Sequence, residues 1–192
     1  MLFQILFYLL NLVASFLALT LLARFALQWA RAPFRNPVGQ FVIAVTDWMV
    51  RPARRIIPSA WGYDLPSLVL AWLLQGAYLG LVYGLTLGAT QTVSAVGIVA
   101  LLALVEVLKL ACHLAFGILI ISAILSWVNP YAPLAPVFFS LAQPLTRPFA
   151  RLIPPIGGVD LTPMVPLILI QVLQMVLAAA QGMLMPGLMG AF

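Results

Sequence analysis

The sequence predicts an all-α membrane protein with four transmembrane helices, arranged as two parallel repeats that each carry an amphipathic connection on the cytoplasmic side. Hydrophobic residues make up 65% of the chain and charged residues only 7%, whereas soluble domains have roughly 45–50% and about 25%. Long stretches lack charge, and one fifteen-residue motif occurs twice. The composition and the uncharged stretches predict the spans, and the motif predicts the repeats.

Uncharged stretches cover residues 2–23, 65–104, 110–128 and 161–185. A helix needs roughly 20 apolar residues to cross a bilayer, so the first and last stretches supply one span each. The region 65–128 is about three times that length and is expected to hold two spans, with a turn at 88–97. No Lys or Arg precedes Arg24, so the N-terminus does not resemble a signal peptide, and the first span is expected to be retained.

The basic residues predict the orientation. Seven of the nine lie in the two connections, between spans one and two and between spans three and four. By the positive-inside rule these connections are cytoplasmic, which places both termini on the other side. The formal charge of +5 therefore indicates topology and lipid headgroups as partners, and not nucleic acid.

The first connection has the pattern of an interfacial helix. Stepping 100° per residue separates a polar side from an apolar side. The polar side contains Gln40, Asp47, Arg51, Arg54 and Arg55, and the apolar side contains Phe41, Val42, Val45, Trp48 and Met49. Because Pro52 disfavours helical geometry at the residue before it, we expect a break at Arg51 and a second short turn beginning at Pro52.

The repeated motif reads RPARRIIPSAWGYDL at 51–65 and RPFARLIPPIGGVDL at 147–161, with eight of fifteen positions identical. At the same offset of 96, Gln75 aligns with Gln171, and at an offset of 98, Trp29 aligns with Trp127. The chain therefore divides into repeats at 1–90 and 91–192. Each repeat holds an even number of spans, so both have the same orientation in the membrane.

These motifs, together with SWVNPYAPLAP, resemble the YggT (YlmG) family of small bacterial and plastid membrane proteins, over nearly the whole chain. The family pattern continues after Asp-Leu with a hydroxyl residue and a proline, present as Thr162-Pro163 but replaced by Pro66-Ser67 in the first copy. The resemblance implies the bacterial cytoplasmic (inner) membrane. Relatives have been linked to osmotic-stress tolerance, to division-site and nucleoid organisation and to cofactor assembly in thylakoids, without a common biochemical activity.

Charged residues of the motif are candidate binding and structural residues. The arginines Arg51, Arg54, Arg55, Arg147 and Arg151 are expected to anchor the connections to lipid phosphates or a protein partner, and a four-arginine anionic pocket is the alternative. Asp64 and Asp160 precede the second and fourth spans. Each is expected to cap its helix, or to form a salt bridge with Arg55 or Arg151 respectively.

Polar residues inside the spans are the other candidates. Gln75 in the second span, and Gln171, Gln174 and Gln181 in the fourth, form a stripe that serves either as interhelical hydrogen bonding or as a polar path. Glu106 and Lys109 are expected to pair, and His113 lies one turn further. Together these three could relay protons; a haem site is disfavoured with one histidine.

Small and sulfur-containing residues add packing features. Gly76, Gly80, Gly84 and Gly88 form a ridge suited to close helix packing, either within the chain or in a homo-oligomer. Cys112 is the one cysteine, so neither a disulfide nor a zinc site is expected within one chain.

No catalytic triad, metal-ligand cluster or phosphate-binding glycine loop is found in the sequence, so we expect no enzyme and no cofactor. Two hypotheses remain. The first is a non-catalytic organiser that assists division, envelope or membrane-complex assembly through its amphipathic connections. The second is an ion or osmolyte channel or transporter acting in osmotic-stress tolerance. A shared water-filled interior favours transport, and separate polar contacts favour the organiser.

Overall fold

The computed structural model describes residues 1–33, 36–57, 63–87, 96–150 and 162–184. Within these ranges the chain is all-helical, with six helices in this order: α1 (Leu2–Trp29), α2 (Pro37–Ala53), α3 (Leu65–Leu87), α4 (Val96–Val128), α5 (Ala135–Thr146) and α6 (Met164–Leu184). Helices α1, α3, α4 and α6 are long and apolar enough to cross a membrane. The predictions of a helical fold and of four helices that could cross a membrane are therefore confirmed.

Helix α4 is the longest of the described helices, with 33 residues and a length of about 50 Å at 1.5 Å per residue. It begins at Val96, so the end of the turn predicted at 88–97 is already helical. Residues 88–95 of that turn lie outside the described part. The remaining spans have lengths of 21–28 residues, as a bilayer of ordinary thickness requires.

Helix α1 ends in a Schellman motif, which turns the chain into the first connection. The Ala32 N–H donates to the Leu27 carbonyl over 2.9 Å, and the Arg31 N–H donates to the Gln28 carbonyl over 3.0 Å. Arg31 has φ 52°, the left-handed conformation that this motif needs. The chain therefore reverses directly after the first span.

Helix α2 begins with an N-cap and runs past the proline that was expected to break it. The Asn36 side chain accepts a hydrogen bond from the Gly39 N–H over 2.8 Å, and Pro37 occupies the first turn. The predicted break at Arg51 is wrong, because α2 continues to Ala53 with Pro52 inside it. Pro52 removes only one hydrogen bond so close to the helix end.

The buried side of α2 differs from the predicted apolar side. Gly39, Val42, Thr46 and Val50 are buried against the neighbouring helices, whereas Trp48 is 66% exposed and Phe41 53% exposed. Phe41 and Trp48 thus point away from the neighbouring helices, while Val42, which was predicted to lie with them, packs in the core. A hydrophobic side can be covered by protein or by lipid, and polarity alone does not separate the two.

The spans pack as a group of three with a fourth at one side. Helices α1, α3 and α4 pack against one another, and α6 packs chiefly against α4. Helix α2 packs on α1 and α3, and α5 packs on α4. One apolar cluster joins the ends of α1 and α4 with α2 and α5; both connections thus lie at the same end of the bundle, which we call the connection end.

Candidate functional site

A buried arginine at the connection end joins three helices. Arg24 lies in α1 and is 7% exposed. Its Nη1 donates to Thr46 Oγ1 and to Asp47 Oδ1 of α2, each over 2.8 Å, and its Nε donates to Asp64 Oδ2 over 3.2 Å. We call Arg24, Thr46, Asp47, Arg54 and Asp64 the Arg24 cluster. It fixes the amphipathic helix to the first span and to the start of α3.

Asp64 is fully buried at the centre of this cluster. Its Oδ2 accepts from Arg24, from Arg54 Nη2 over 3.0 Å and from the Ser67 hydroxyl over 2.8 Å. A helix cap was the first expectation for Asp64 and a salt bridge to Arg55 the alternative; the structure instead gives Asp64 salt bridges to Arg24 and Arg54. A buried carboxylate needs such partners, because an unpaired charge is costly in an apolar environment.

Asp47 is the second acceptor in the cluster. It accepts from Arg24 through Oδ1 and pairs with Arg51 through Oδ2, 2.8 Å from Arg51 Nη2. The hydrogen bond from Arg24 is the main cause that holds the pKa of Asp47 below its ordinary value of 3.8, and desolvation opposes it. Asp47 therefore stays ionised at neutral pH and remains paired with the guanidinium groups of Arg24 and Arg51.

Other cationic side chains project outward. Arg51 is 79% exposed despite its contact with Asp47, Arg55 is exposed, and Arg147 is exposed at the end of α5. Arg151 and Asp160 lie outside the described residues. In the motif of the first connection, Arg54 is thus bound to the buried Asp64 although its side chain is 42% exposed, whereas Arg51 and Arg55 project outward.

The second copy of the motif and its preceding span has uncharged residues at the positions of Arg24 and Asp47, while Asp160 matches Asp64. At the offset of Trp29 and Trp127, Arg24 aligns with Ser122, and at the offset of the motif, Asp47 aligns with Gln143. Ser122 is buried. It lines a cavity of about 430 Å³ between α4 and α5, together with Ser126, Gln143 and Thr146. The residue that aligns with Arg24 therefore lines a cavity.

A second polar cluster joins α4 and α6. Lys109 Nζ lies 3.4 Å from Glu106 Oε1 and donates to Gln181 Oε1 over 2.6 Å, while Gln181 Nε2 donates to the same Glu106 oxygen over 2.6 Å. We call these three residues the Glu106 cluster. His113 is exposed, and its Nδ1 lies 2.7 Å from the Lys109 carbonyl oxygen. The three side chains satisfy one another, so His113 is not part of their hydrogen-bonded set.

The predicted glutamine stripe does not converge. Gln75 is 2% exposed, Gln174 is half-buried and Gln171 is exposed on α6. Only Gln181 reaches the Glu106 cluster. The amides therefore lie in different environments and do not line one path through the described helices.

The glycine ridge is used partly within the chain. A Cβ built on Gly76 lies 3.7 Å from the Cβ of Ala103 in α4, an ordinary contact, and one built on Gly80 meets nothing within 4 Å. Gly84 is half-buried, and Gly88 lies outside the described residues. An alanine side chain therefore fits at Gly76 and at Gly80.

The two polar clusters share no helix. The Arg24 cluster belongs to α1, α2 and the start of α3, and the Glu106 cluster belongs to α4 and α6. An apolar cluster that includes Leu22, Val50 and Val107 packs where α1 to α4 meet. Among the described residues, no group of three or more His, Cys, Asp or Glu side chains is placed to hold a metal ion.

Sequence reasoning missed Arg24 as a site residue, along with Thr46 and Ser67. A signal was present, because Arg24 is a lone charge within an apolar segment and such a charge requires a partner. The chain has only four acidic residues; Asp47 lies within α2, and Asp64 lies between α2 and α3. Pairing the lone arginine with these carboxylates was the missing step.

Four apolar spans, amphipathic helices at one end and charges that pair within the chain define a multi-pass integral membrane protein of the α-helical class. A family model described as CCB3/YggT matches residues 3–85 and 101–181. The chain belongs to this family.

Relatives cover almost the whole chain. An uncharacterised protein named YggT from Escherichia coli strain K12 is 36% identical over 186 residues, which cover 94% of this chain and 95% of the relative. An uncharacterised protein of Pseudomonas aeruginosa strain PAO1 is 38% identical over 187 residues, which cover 92% and 91%. No solved structure matches the chain significantly. The resemblance to the YggT family is thus confirmed, and the relatives' names carry no activity.

Proposed function

We propose that the protein is a non-catalytic organiser of the bacterial cytoplasmic membrane, which presents a fixed amphipathic platform to lipid headgroups and to a partner protein during division, envelope or membrane-complex assembly. The platform is the outward side of α2 with its following turn. In the proposed topology the connection end is cytoplasmic and both termini are on the other side, as the basic residues favour.

The Arg24 cluster is the observation that carries the proposal. It ties α2 to α1 and α3 through a buried guanidinium and a buried carboxylate, which is far more than an interfacial helix needs for lipid contact alone. With α2 held in this way, Arg51, Trp48 and the 83% exposed Ile56 all project from the platform. Basic and aromatic side chains in this combination suit the headgroup layer.

The separate polar clusters support an organiser over a transporter. Charges in each cluster are satisfied by neighbours within the chain, and the clusters share no helix. The transport alternative depends on the Glu106 cluster, where three polar groups meet inside the membrane-spanning part.

A flux assay in liposomes distinguishes the organiser from the transporter. The purified protein is reconstituted, and ion and osmolyte flux is compared with that of empty liposomes and of a Glu106→Gln variant. The organiser proposal expects no flux above the empty control. Flux that exceeds it and disappears in Glu106→Gln would overturn the proposal in favour of transport.

A lipid-retention assay tests the platform directly. Native mass spectrometry counts the anionic lipids that remain bound to the detergent-released protein. The double variant Arg51→Gln/Arg55→Gln is expected to lose bound anionic lipid while its melting temperature stays close to that of the wild type, because both side chains are exposed. Lys109→Gln, at the other cluster, is the control. Equal lipid retention in all three proteins would contradict the platform.

A further inference from the structure

We propose that this protein assembles head to tail with further copies of itself in the membrane, α6 of one copy packing against α1 of the next in the way that α3 packs against α4 within the chain. The inference goes beyond the proposed function and names a second copy of this chain as the occupant of an open surface. It rests on the alignment of the two sequence copies and on the different burial of the aligned residues.

The alignment of α1 with α4 is supported by burial. At an offset of 98, which aligns Trp29 with Trp127, four pairs are buried in both helices: Ala14 and Cys112, Thr20 and Ile118, Leu21 and Leu119, and Arg24 and Ser122. At an offset of 96, Pro66 and Thr162 are both buried at the starts of α3 and α6, as are Ser67 and Pro163. The burial of these pairs supports both alignments.

Helix α3 has a second buried side, in addition to the side that packs on α1. Ala71, Gln75, Leu79 and Tyr83 recur every fourth residue and are all buried. Leu79 and Tyr83 pack in one cluster with residues of α4. This side buries the Gln75 amide inside the protein.

Helix α6 exposes the same side. Its residues at the matching positions are Leu167, which is half-buried, and Gln171, Met175 and Ala179, which are exposed. In a bilayer an exposed Gln171 amide faces hydrocarbon that cannot hydrogen-bond it, which is unfavourable. The matching amide of α3, Gln75, is buried, so α6 lacks the cover that α3 has on this side.

Helix α1 exposes the side that α4 uses to receive α3. In α4, Val99, Leu102, Ala103 and Val107 are buried, and Ala103 contacts the Gly76 position of α3. The matching positions in α1 are all exposed: Met1, Gln4, Ile5 and Leu9. One chain therefore carries both halves of a second α3–α4 interface, and they remain unpaired.

The open side of α1 also forms an apolar groove that is suited to receiving a helix. A groove of about 750 Å³ runs along α1 past Leu12 and Phe16 to Leu110 of α4. Its lining includes Asn11 and Ser15, whose side chains are joined by a 3.2 Å hydrogen bond. An α6 helix from a second copy would thus find apolar surface for packing.

Because the two surfaces differ, the contact is heterologous. A heterologous contact between identical chains produces a closed ring or an open filament, whereas a symmetric contact stops at a dimer. The contact between copies is patterned on the contact between α3 and α4 within one chain, so all copies have the same orientation across the membrane.

Cysteine cross-linking tests this arrangement in liposomes. The internal template is the Cβ distance of 3.7 Å between the Gly76 position and Ala103, which lies within the range of about 3.5–4.5 Å for disulfides. The matching pair between copies is Val172 and Ile5, both exposed. In a Cys112→Ala background, Ile5→Cys/Val172→Cys is expected to give a ladder of dimers, trimers and higher species on mild oxidation.

The controls separate this assembly from other contacts. Ile5→Cys/Leu173→Cys moves one cysteine about 100° around α6 and is expected to lose the ladder. Each single-cysteine variant alone is expected to remain monomeric on a denaturing gel, and a mixture of the two singles is expected to give one dimer band. Homodimers from a single variant would indicate a symmetric interface and overturn the proposal. Oxidation of both thiols without any dimer would indicate that α6 closes on α1 of its own chain, which also overturns it.

A second measurement does not depend on cysteines. The wild-type protein in lipid nanodiscs is expected to have a protein mass that is a multiple of the 20.8 kDa chain. The variant Val172→Trp, which adds bulk at the centre of the proposed contact, is expected to shift the mass toward a single chain. A single-chain mass for the wild type at all protein-to-lipid ratios would refute the assembly.

Discussion

Replacing Arg24 with glutamine is expected to destabilise the protein more than any change at the exposed arginines. The substitution removes the guanidinium that bonds Thr46, Asp47 and Asp64 at 2.8, 2.8 and 3.2 Å. Asp64 has no exposed surface, so it would keep a buried charge with only Arg54 and Ser67 as partners.

The magnitude follows from the cost of breaking a buried ion pair. Removing one partner of such a pair costs about 3–5 kcal/mol, because the other charge is left uncompensated. For a chain of this size, about 1 kcal/mol changes the melting temperature by roughly 2–4 °C, so Arg24→Gln should lower it by about 6–20 °C. The control Arg51→Gln removes a contact of a largely exposed side chain and should cost about 0–1 kcal/mol.

A double-mutant cycle isolates the pair. Arg24→Gln, Asp64→Asn and the combined variant are unfolded by heat in the same detergent, with intrinsic fluorescence as the readout. The combined variant should be less destabilised than the sum of the two single changes, by about 1–3 kcal/mol, since neither buried charge is then left alone. Strict additivity, or an Arg24→Gln melting temperature as close to wild type as that of Arg51→Gln, would refute the reasoning.

Three further predictions test other parts of the structure. Asp47 has a lowered pKa in the folded protein, so its ionised form stabilises the fold fully above about pH 4, and this stabilisation is lost as the pH falls through the folded pKa. When the melting temperature is measured at decreasing pH, Asp47→Asn should show a smaller fall than the wild type, and an equal fall would contradict the prediction. Arg54→Lys should lower the melting temperature because the fork that reaches both Asp64 oxygens is lost, whereas Arg51→Lys should be nearly neutral; equal effects would argue against this contact between Arg54 and Asp64. Gly76→Ala and Gly80→Ala should both leave stability unchanged or slightly raised, since an added Cβ meets only ordinary contacts, and a marked loss of stability in either would show that the ridge is packed more closely than this.

The spans could be predicted because hydrocarbon imposes one simple requirement. A segment in the bilayer must be helical, apolar and about 20 residues long, and each of these properties is visible in the sequence. The helix of the first connection was predictable for a similar reason, since its polar and apolar residues alternate at the helical period. The rotation of this helix about its axis could not be predicted. Val42 and Trp48 are both apolar, and only the packing of the folded chain determines which of the two is buried by protein.

The Arg24 cluster was harder to foresee, since it joins residues far apart in the chain. Arg24 and Asp64 are separated by 40 positions, and the contact depends on how α1 and α3 pack. Local rules pointed elsewhere: Asp64 directly precedes a helix, which favours a cap, and Arg55 belongs to the same motif. The distant arginine lies inside the bundle, where the need to compensate a buried carboxylate is greatest.

The two sequence copies differ in the contacts that hold their connection helices, α2 and α5, against the spans. In the first copy, α2 is attached by hydrogen bonds from the Arg24 guanidinium to Thr46 and Asp47, which are directional and allow few orientations of the helix. In the second copy, Ser122 takes the place of the arginine, and α5 is held by buried apolar residues such as Val137 and Leu141, beside a cavity. Apolar packing is not directional and tolerates small shifts better than a charged network does. The first connection is thus held in the more sharply defined orientation, and the second is the one whose packing tolerates small shifts.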